Sequence, residues 1–414
     1  MTRAVELVST GSELLSGRTL NRHAQVLGDH LHELGLKLLR DTTVPDDIDL
    51  IQEAIESALR RVDIVLVSGG LGPTSDDVTR EAIAKMLGRT IVMDEPSVEA
   101  LRQRFRRMGR AVTEQGERQA RVVEGAAALS NSVGAAPGER IELDKKVIFV
   151  LPGPPREFLA VLEEHVIPWL KKNLDPIAKP AERMFLVCGL GESDIVLRFE
   201  TAGFPPDGLD VAYSAAPGRV EIRIAAPPEK GKLVEDSGSE IRRLLGDNIF
   251  SEQPLEMEEV IGRLLVQQKA TLATAESCTG GLIGHRVTTV SGSSNYYLGG
   301  VIAYSNDVKI RELGVSGETL KQFGAVSEAV AREMAVGVRQ RCESDFGLAV
   351  TGIAGPTGGT PEKPVGLVFI ALADRHTSWV KRIQFPGTRP WIKEWASQMA
   401  LDLLRRRLIG VLKD

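Results

Sequence analysis

Apolar and polar positions follow two different patterns along the first part of the chain. Residues 4–9, 62–68 and 147–153 are short runs rich in Val, Ile and Leu, a pattern typical of buried strands. Residues 19–34 and 48–59 instead carry apolar side chains every three or four positions, which predicts amphipathic helices. Because strands and helices alternate and the strands are almost continuously apolar, the pattern predicts a mostly parallel sheet with helices on both faces.

The pattern changes twice further along the chain. Residues 171–183 combine prolines with charges and read as a linker, and residues 250–259 form a second candidate junction. A smaller α+β stretch lies between them, and strand–helix alternation resumes from Met257 to a closing helix that begins at Pro390. At 414 residues the chain is too long for one ordinary core. The pattern therefore predicts an α/β protein of three domains, residues 1–170, 171–252 and 253–414. The strands predicted in the last domain are residues 271–276, 301–305, 346–352 and 366–373.

Composition narrows the class of protein. Hydrophobic residues make up 43% of the chain and charged residues 26%, which is typical of a globular protein in water. The net charge of −5 argues against a dominant nucleic-acid surface. The three cysteines form no CxxC pair, so a zinc site or disulfide framework is not indicated and a reducing cytoplasm is expected. No run reaches the roughly 20 apolar residues that a membrane span needs.

Two polar clusters follow predicted strands in the N-terminal region, at residues 9–17 and 68–82. Ligands of open parallel sheets bind beyond the carboxyl ends of the strands. Glycines such as Gly69 and Gly70 let backbone N–H groups approach an anion there. Asp76 and Asp77 could hold a hard divalent cation, or could simply cap the following helix. The sequence leaves both readings open.

The C-terminal region offers three adjacent nucleophile candidates in the stretch TAESCTGG, namely Ser277, Cys278 and Thr279. Cys278 is either a thiolate favoured by the following helix or a small buried neighbour. Lys309, 32 residues after Ser277, can serve as a base if it is desolvated, although a solvated surface lysine is the alternative. A Ser–Lys pair needs only these two groups and oxyanion donors, for which we predict the backbone N–H groups just after Ser277, at the start of the following helix.

The N-terminal motifs carry a resemblance to a known family. STGSELL (residues 9–15), SGGLGPTSDDVTREA (68–82), NSVGAAPG (131–138) and LPGPPREF (151–158) resemble the molybdopterin-binding-like domain that opens proteins of the CinA family. The resemblance implies a metal-dependent ADP-ribose pyrophosphatase activity, with a divalent metal at Asp76 and Asp77. The residues that it places around the phosphates or the rest of the ligand are Glu13, Gly69, Gly70, Thr74 and Arg156.

The middle region resembles the KH-like connector of the same family. A KH domain binds RNA through an exposed GXXG loop. The corresponding stretch here, GLGES at residues 189–193, has no basic residue, so we do not expect it to bind nucleic acid.

The C-terminal motifs resemble the PncC-type domain of the CinA family along their whole length. They are TAESCTGG (residues 274–281), GGVIAYSNDVK (299–309), GAVSE (324–328), VTGIAGPTGG (350–359), KPVGLV (363–368) and FPGTR (385–389). The resemblance implies a cofactor-free amidohydrolase that converts nicotinamide mononucleotide to nicotinic acid mononucleotide and ammonia, with Ser277 attacking and Lys309 as base. It also implies a homodimer. The residues that it places around the substrate are Ser294, Tyr304, Thr351, Gly352, Gly355, Gly358 and Arg389.

Three functional hypotheses follow from these motifs. The first is an amidohydrolase of pyridine nucleotide salvage acting on small nucleotides, with ADP-ribose hydrolysis as a possible second activity. The second makes metal-dependent ADP-ribose hydrolysis the main activity. The third is a non-catalytic binding protein related to molybdopterin or to competence.

Overall fold

The computed structural model describes residues 4–174 and 179–412, and the chain divides into two compact units, one up to Lys179 and one from Pro180 onward. Both units mix helices with β-sheets, as the sequence predicts. Four residues of the predicted linker, 175–178, lie outside the described residues. No helix within the described ranges is both long and apolar enough to cross a membrane.

The first unit is built on a six-stranded sheet. Its strands are β1 (Ala4–Thr10), β2 (Lys37–Val44), β3 (Ile64–Ser68), β6 (Ala127–Leu129), β7 (Gly138–Leu143) and β8 (Lys146–Leu151), and a separate hairpin pairs β4 (Ile91–Met93) with β5 (Arg121–Val123). The order is β2-β1-β3-β8-β7-β6. The first four strands are mutually parallel, while β7 and β6 are antiparallel to their neighbours. The prediction of a mostly parallel sheet is therefore correct for these four strands, and it does not extend to β7 and β6 because the antiparallel strands do not stand out as apolar runs.

Helices cover both faces of this sheet. They are α1 (Ser12–Leu15), α2 (His23–Glu33), α3 (Ile48–Leu59), α4 (Thr79–Leu87), α5 (Glu95–Arg107), α6 (Glu114–Glu117), α7 (Pro155–Val161) and α8 (Ile167–Asn173), with a π-helical turn between the last two. In β3, Leu66 packs in one core with α2 and α7. Its neighbours Val65 and Val67 point to the other face and pack in a second core with α3 and α4. Because neighbouring strand residues point to opposite faces, one continuous apolar strand serves both cores. The predicted boundary at residue 170 falls inside α8.

The second unit contains two sheets, one on each side of the predicted boundary at residue 252. The first is antiparallel in the order β10-β11-β9-β12, and the second has the order β14-β13-β15-β16-β17. The division of the chain into three domains stays a prediction. The strands are β9 (Ala181–Cys188), β10 (Asp210–Ala216), β11 (Arg219–Ala226), β12 (Ile249–Ser251), β13 (Leu272–Glu276), β14 (Tyr297–Ile302), β15 (Phe346–Gly352), β16 (Leu367–Ala373) and β17 (Ser378–Gln384).

The helices of the second unit pack around these sheets. They are α9 (Glu192–Thr201), α10 (Gly231–Leu245), α11 (Met257–Gln268), α12 (Leu282–Thr289), α13 (Asn306–Leu313), α14 (Gly317–Phe323), α15 (Glu328–Arg341) and α16 (Arg389–Leu408). Helix α16 contributes Ala396, Ala400 and Leu404 to the core shared with α11 and α12. The same core contains Leu186 and Cys188 of β9, so the antiparallel sheet and the C-terminal sheet share one apolar interior.

Candidate functional site

Three strand ends meet at one edge of the C-terminal sheet. Strand β13 is parallel to β14 and to β15, with Glu276 opposite Ile302 and Val350. The residues that follow these positions therefore share an edge, and the backbone N–H of Ser277 donates to the carbonyl of Val350 (2.9 Å). This register brings the serine of TAESCTGG, the segment after β14 and the glycine-rich loop after β15 together.

Ser277 and Lys309 are in direct contact at this edge. The Nζ atom of Lys309 donates to Ser277 Oγ (3.1 Å) and to the carbonyl of Ala303 (2.6 Å). The lysine lies on α13, whose N-terminus Ser305 caps, and its side chain is 1% exposed. Among residues 4–174 and 179–412 it forms no ion pair. Burial lowers the pKa of Lys309, because desolvation disfavours the ammonium form. The pair thus combines a half-buried hydroxyl with an amine that loses its proton more readily than an ordinary lysine.

The two neighbouring nucleophile candidates are in different surroundings. Cys278 is 6% exposed, and burial raises the pKa of its thiol to about 12. A thiol with that pKa stays protonated at neutral pH and is a poor nucleophile, so the reading of Cys278 as a buried neighbour is confirmed by its burial. The side chain of Thr279 is fully buried, and its hydroxyl contacts no hydrogen-bond partner in the part of the chain that the structure describes.

Glu276 limits which backbone N–H groups near Ser277 can serve as oxyanion donors. Its buried carboxylate accepts hydrogen bonds from the backbone N–H groups of Gly281 (2.9 Å), Ile283 (3.1 Å) and Gly284 (2.8 Å) and so caps α12. These three N–H groups are therefore already paired and are not free to bind an oxyanion. Within the described ranges, the N–H groups of Cys278 and Thr279 donate to no other residue, and they remain the candidates.

Arg389 links the other two segments of the edge. It is the first residue of α16, and its guanidinium donates to the carbonyl of Gly355 (2.7 Å) and to the hydroxyl of Tyr304 (2.6 Å). Gly355 and Gly358 both have positive φ, at 74° and 88°, and a Cβ on Gly355 would lie 2.5 Å from a methyl group of Val365. The loop therefore requires glycine at these positions, as expected of backbone that lines an anion site.

Three of the residues predicted to surround the substrate are either packed against neighbouring segments or lie away from Ser277. Thr351 is the second-last residue of β15, but its hydroxyl is buried and donates to the carbonyl of Ala325 (2.8 Å), and Gly352, which ends the strand, packs closely on β16. Ser294 lies before β14, whose first residue pairs with Leu272 at the start of β13. Since Ser277 follows the end of β13, Ser294 lies at the opposite end of the strand within one chain, and the structure does not bring the two serines together.

The first unit holds a cavity of about 520 Å³ at the carboxyl ends of its parallel strands. Of the predicted residues, Glu13, Gly69, Gly70, Asp76 and Asp77 line it, whereas Thr74 and Arg156 do not. Thr74 instead donates from its backbone N–H (2.9 Å) and its hydroxyl to the carboxylate of Asp77. Gly69 and Gly70 have positive φ, and a Cβ on either would lie within 2.4 Å of Thr10 or Thr79. Only glycine fits this loop.

The lining of this cavity is acidic. Five carboxylates, those of Glu13, Asp46, Asp76, Asp77 and Glu157, face it together with a single arginine, Arg22. A bare phosphate would be repelled there, so an anionic ligand needs a cation to accompany it. No cluster of three or more His, Cys, Asp or Glu side chains with metal-binding spacing exists within the described ranges. The donor set fits a magnesium-like ion held by one or two carboxylates, water and substrate phosphate.

His23, which no sequence motif indicates, also lines this cavity. The imidazole is 7% exposed, stacks on Phe158 at 4.2 Å between ring centroids and contacts Ser68 Oγ at 2.8 Å through Nδ1. Burial lowers the pKa of His23, so the ring is neutral at neutral pH. The sequence predicts one helix over residues 19–34, which places His23 within a helix and away from any site. In the structure α2 begins only at His23, and the preceding residues line the cavity.

Arg80 connects one wall of the same cavity, at Leu71, to the segment before β7. Its guanidinium is buried in an ion pair with Glu139 (2.6 Å) and donates to the carbonyls of Leu71 (3.0 Å) and Pro137 (3.3 Å). One side chain thus holds the glycine loop and the segment before β7. No motif in the sequence pointed to Arg80, since the residue lies within a helix at a position where a surface cation is ordinary.

Comparisons with known proteins cover both units. A family model described as "CinA C-terminal domain" matches residues 255–408, and one described as "Probable molybdopterin binding domain" matches residues 6–172. A CinA-like protein of Kosmotoga olearia is 41% identical over 408 residues, 98% of each chain. A CinA-like protein of Dictyoglomus thermophilum is 40% identical over 410 residues, 98% of this chain and 99% of that one.

A solved structure also matches one part of the chain. The crystal structure of a competence/damage inducible protein from Agrobacterium tumefaciens is 40% identical, covers 39% of this chain and 99% of its own, and has a TM-score of 0.36. The identity to the full-length relatives extends across both units, and the order of the two matched domains is the one that the motifs predict. The chain therefore belongs to the CinA family, with a molybdopterin-binding-like domain followed by a CinA C-terminal domain.

Proposed function

We propose that this chain is a nicotinamide-nucleotide amidohydrolase that converts nicotinamide mononucleotide into nicotinic acid mononucleotide and ammonia, a step of pyridine nucleotide salvage. The observation that carries the proposal is the 3.1 Å contact between Ser277 Oγ and Lys309 Nζ, with the amine buried and the thiol of Cys278 held protonated. A serine activated by an adjacent base attacks carbonyl carbons, and a carboxamide is the group whose hydrolysis releases ammonia. The choice of nucleotide rests on the resemblance of the motifs.

Acylation uses both members of the pair. Neutral Lys309 takes the proton of Ser277 as Oγ attacks the carboxamide carbon, and the carbonyl oxygen becomes an oxyanion. The N–H groups of Cys278 and Thr279 stabilise that charge as it develops. Lys309 then returns the proton to the leaving nitrogen, the C–N bond breaks, and ammonia departs from a serine ester.

Deacylation repeats the same proton transfers with water. Lys309 removes a proton from a water molecule as the water attacks the ester carbon. The second tetrahedral intermediate collapses, Ser277 Oγ takes the proton back from Lys309, and the nicotinate carboxyl group is released. The desolvation that lowers the pKa of Lys309 supports both steps, because a base works best when its pKa lies near the working pH.

The amidohydrolase proposal is tested by ammonia release from the full-length protein. We expect purified protein incubated with nicotinamide mononucleotide to release ammonia at the same rate with and without a chelator, because Ser277 and Lys309 use only protein groups. Folded protein that releases no ammonia would contradict the proposal and favour a binding role. Release that a chelator abolishes would contradict the serine–lysine mechanism.

The acidic cavity of the first unit favours a second candidate function, metal-dependent hydrolysis of ADP-ribose. Two observations support this function: five carboxylates line the cavity, and its loop adopts a conformation that only glycine fits at Gly69 and Gly70. A divalent cation at Asp76 and Asp77 would bring the diphosphate to the loop and neutralise charge during displacement. His23, neutral and within the same lining, is a candidate base for water.

The second function is tested by replacing Asp76. We expect Asp76→Asn to lower metal-dependent ADP-ribose hydrolysis by at least about 10- to 100-fold, since loss of an outer-shell partner of a metal ligand alone costs that much. Excess metal should partly restore the rate, since the lost group contributes to metal affinity. Ammonia release from nicotinamide mononucleotide should stay unchanged in the same variant, and it serves as the folding control. Undiminished hydrolysis of ADP-ribose would remove Asp76 from the site.

A further inference from the structure

Lys393 brings a second cation to the edge that holds Ser277. It follows Arg389 by four residues on α16, and residues at this spacing lie on one face of a helix. Its Nζ atom lies 3.8 Å from the position that a Cβ on Gly280 would occupy. Arg389 reaches Gly355 and Tyr304 from the previous turn. The first two turns of α16 therefore direct two positive charges at the nucleophile turn and the glycine-rich loop.

The charge of Lys393 is uncompensated. Within the described parts of the chain, the half-buried lysine has no ion pair or hydrogen bond, and Arg389 contacts only a carbonyl and a hydroxyl. The basic residues at the other end of α16 are different, because Arg405 and Arg406 pair with Asp402 (2.6 and 2.7 Å). One helix thus pairs these cations near its end with a carboxylate and leaves those of its first turns without one. Two unneutralised cations at one edge are suited to a dianionic group.

We propose that Lys393 is a specificity-determining residue that binds, together with Arg389, the phosphate monoester of the substrate. The proposal rests on the proposed amidohydrolase function and deepens it. A phosphate monoester carries a charge of about −1.5 to −2 at pH 7, which one guanidinium does not neutralise. The second cation makes the site select mononucleotides over nucleosides, which have the same carboxamide but no phosphate.

Binding of ribose 5-phosphate to the full-length protein tests the proposal without requiring turnover. In isothermal titration with a chelator present, which suppresses metal-dependent binding in the first unit, Lys393→Ala should raise the dissociation constant about 10- to 100-fold, as expected for loss of a charge-assisted hydrogen bond. Lys393→Arg should retain most of the affinity. Lys381→Ala, which removes an exposed lysine of β17, should bind like the wild type. Unchanged affinity in Lys393→Ala would overturn the proposal.

Steady-state kinetics separate phosphate binding from a role in the chemical step. With nicotinamide mononucleotide, Lys393→Ala should raise KM and leave kcat nearly unchanged, and with nicotinamide riboside it should change neither. An equal fall of kcat for both substrates would mean that Lys393 stabilises the oxyanion and would overturn the proposal. If the wild type releases no ammonia, the amidohydrolase function fails, while the titration still decides whether Lys393 binds phosphate.

Discussion

Ser277→Ala is expected to lower ammonia release from nicotinamide mononucleotide by at least about 10⁴-fold, the scale seen when a serine nucleophile is removed from a hydrolase. The reason is that Ser277 is the only one of the three adjacent candidates with both a reachable side chain and an amine within hydrogen-bond distance. The measurement is the initial rate of ammonia release. Because the substitution deletes one oxygen at a half-buried position, we expect the unfolding transition to stay close to that of the wild type.

Cys278→Ala is the matched control for that substitution. The thiol is adjacent in sequence but buried, and its pKa of about 12 keeps it protonated. We expect Cys278→Ala to retain near wild-type turnover and to lose some stability, since its side chain packs in the core beside α12. Full activity in Ser277→Ala together with loss of activity in Cys278→Ala would reverse the assignment of the nucleophile.

Lys309→Met is expected to lower the rate by about 10³-fold or more, because general acid–base catalysis contributes about 10²- to 10⁴-fold and the serine also loses its activating partner. The free energy of unfolding should change by no more than about 1 kcal/mol, because two effects oppose each other. Removing a buried amine relieves its desolvation, and the carbonyl of Ala303 loses its donor. Thermal unfolding and ammonia release, measured on the same preparation, test the expected small change in stability and the expected fall in rate.

The wild type and Lys309→Met should differ in how their free energies of unfolding depend on pH. The pKa of Lys309 is lowered in the folded protein, so the unfolded chain binds more protons at any pH between that pKa and the ordinary lysine value. The unfolding free energy of the wild type should therefore rise relative to Lys309→Met as the pH increases through that window. Wild-type ammonia release should rise through the lowered pKa, since the neutral amine is the base. A rate that falls as the pH rises over this range would exclude Lys309 as the base.

Much of the fold follows from the hydrophobic pattern because central strands are apolar on both faces. β3, β8 and β15 were predicted within a few residues, since each is buried between two layers of helices. β2 and β17 were missed because they lie at sheet edges, where many side chains face water. β14 begins four residues before its predicted start, because Gly299 and Gly300 interrupt its apolar run.

The candidate sites were predictable where a motif directly follows a strand. Ser277, Lys309 and Gly355 meet because parallel strands end at one edge, a relation that alternation of strands and helices already implies. Contacts that depend on burial could not be predicted in the same way. The pairing of Glu276 with the helix amides, the placement of His23 and the approach of Lys393 to Gly280 all join segments whose sequences carry no shared pattern.

The most direct test of the serine–lysine mechanism is to locate the acyl group in the ester intermediate. Full-length protein mixed with nicotinamide mononucleotide is quenched with acid within the first turnovers, digested, and the peptide that contains TAESCTGG is analysed by mass spectrometry. We predict an adduct of the substrate minus ammonia on Ser277, absent from Ser277→Ala and unaffected by Cys278→Ala. An adduct on Cys278 would contradict the assignment of Ser277 as the nucleophile. A Ser277→Ala protein that still forms an adduct and releases ammonia would contradict it as well.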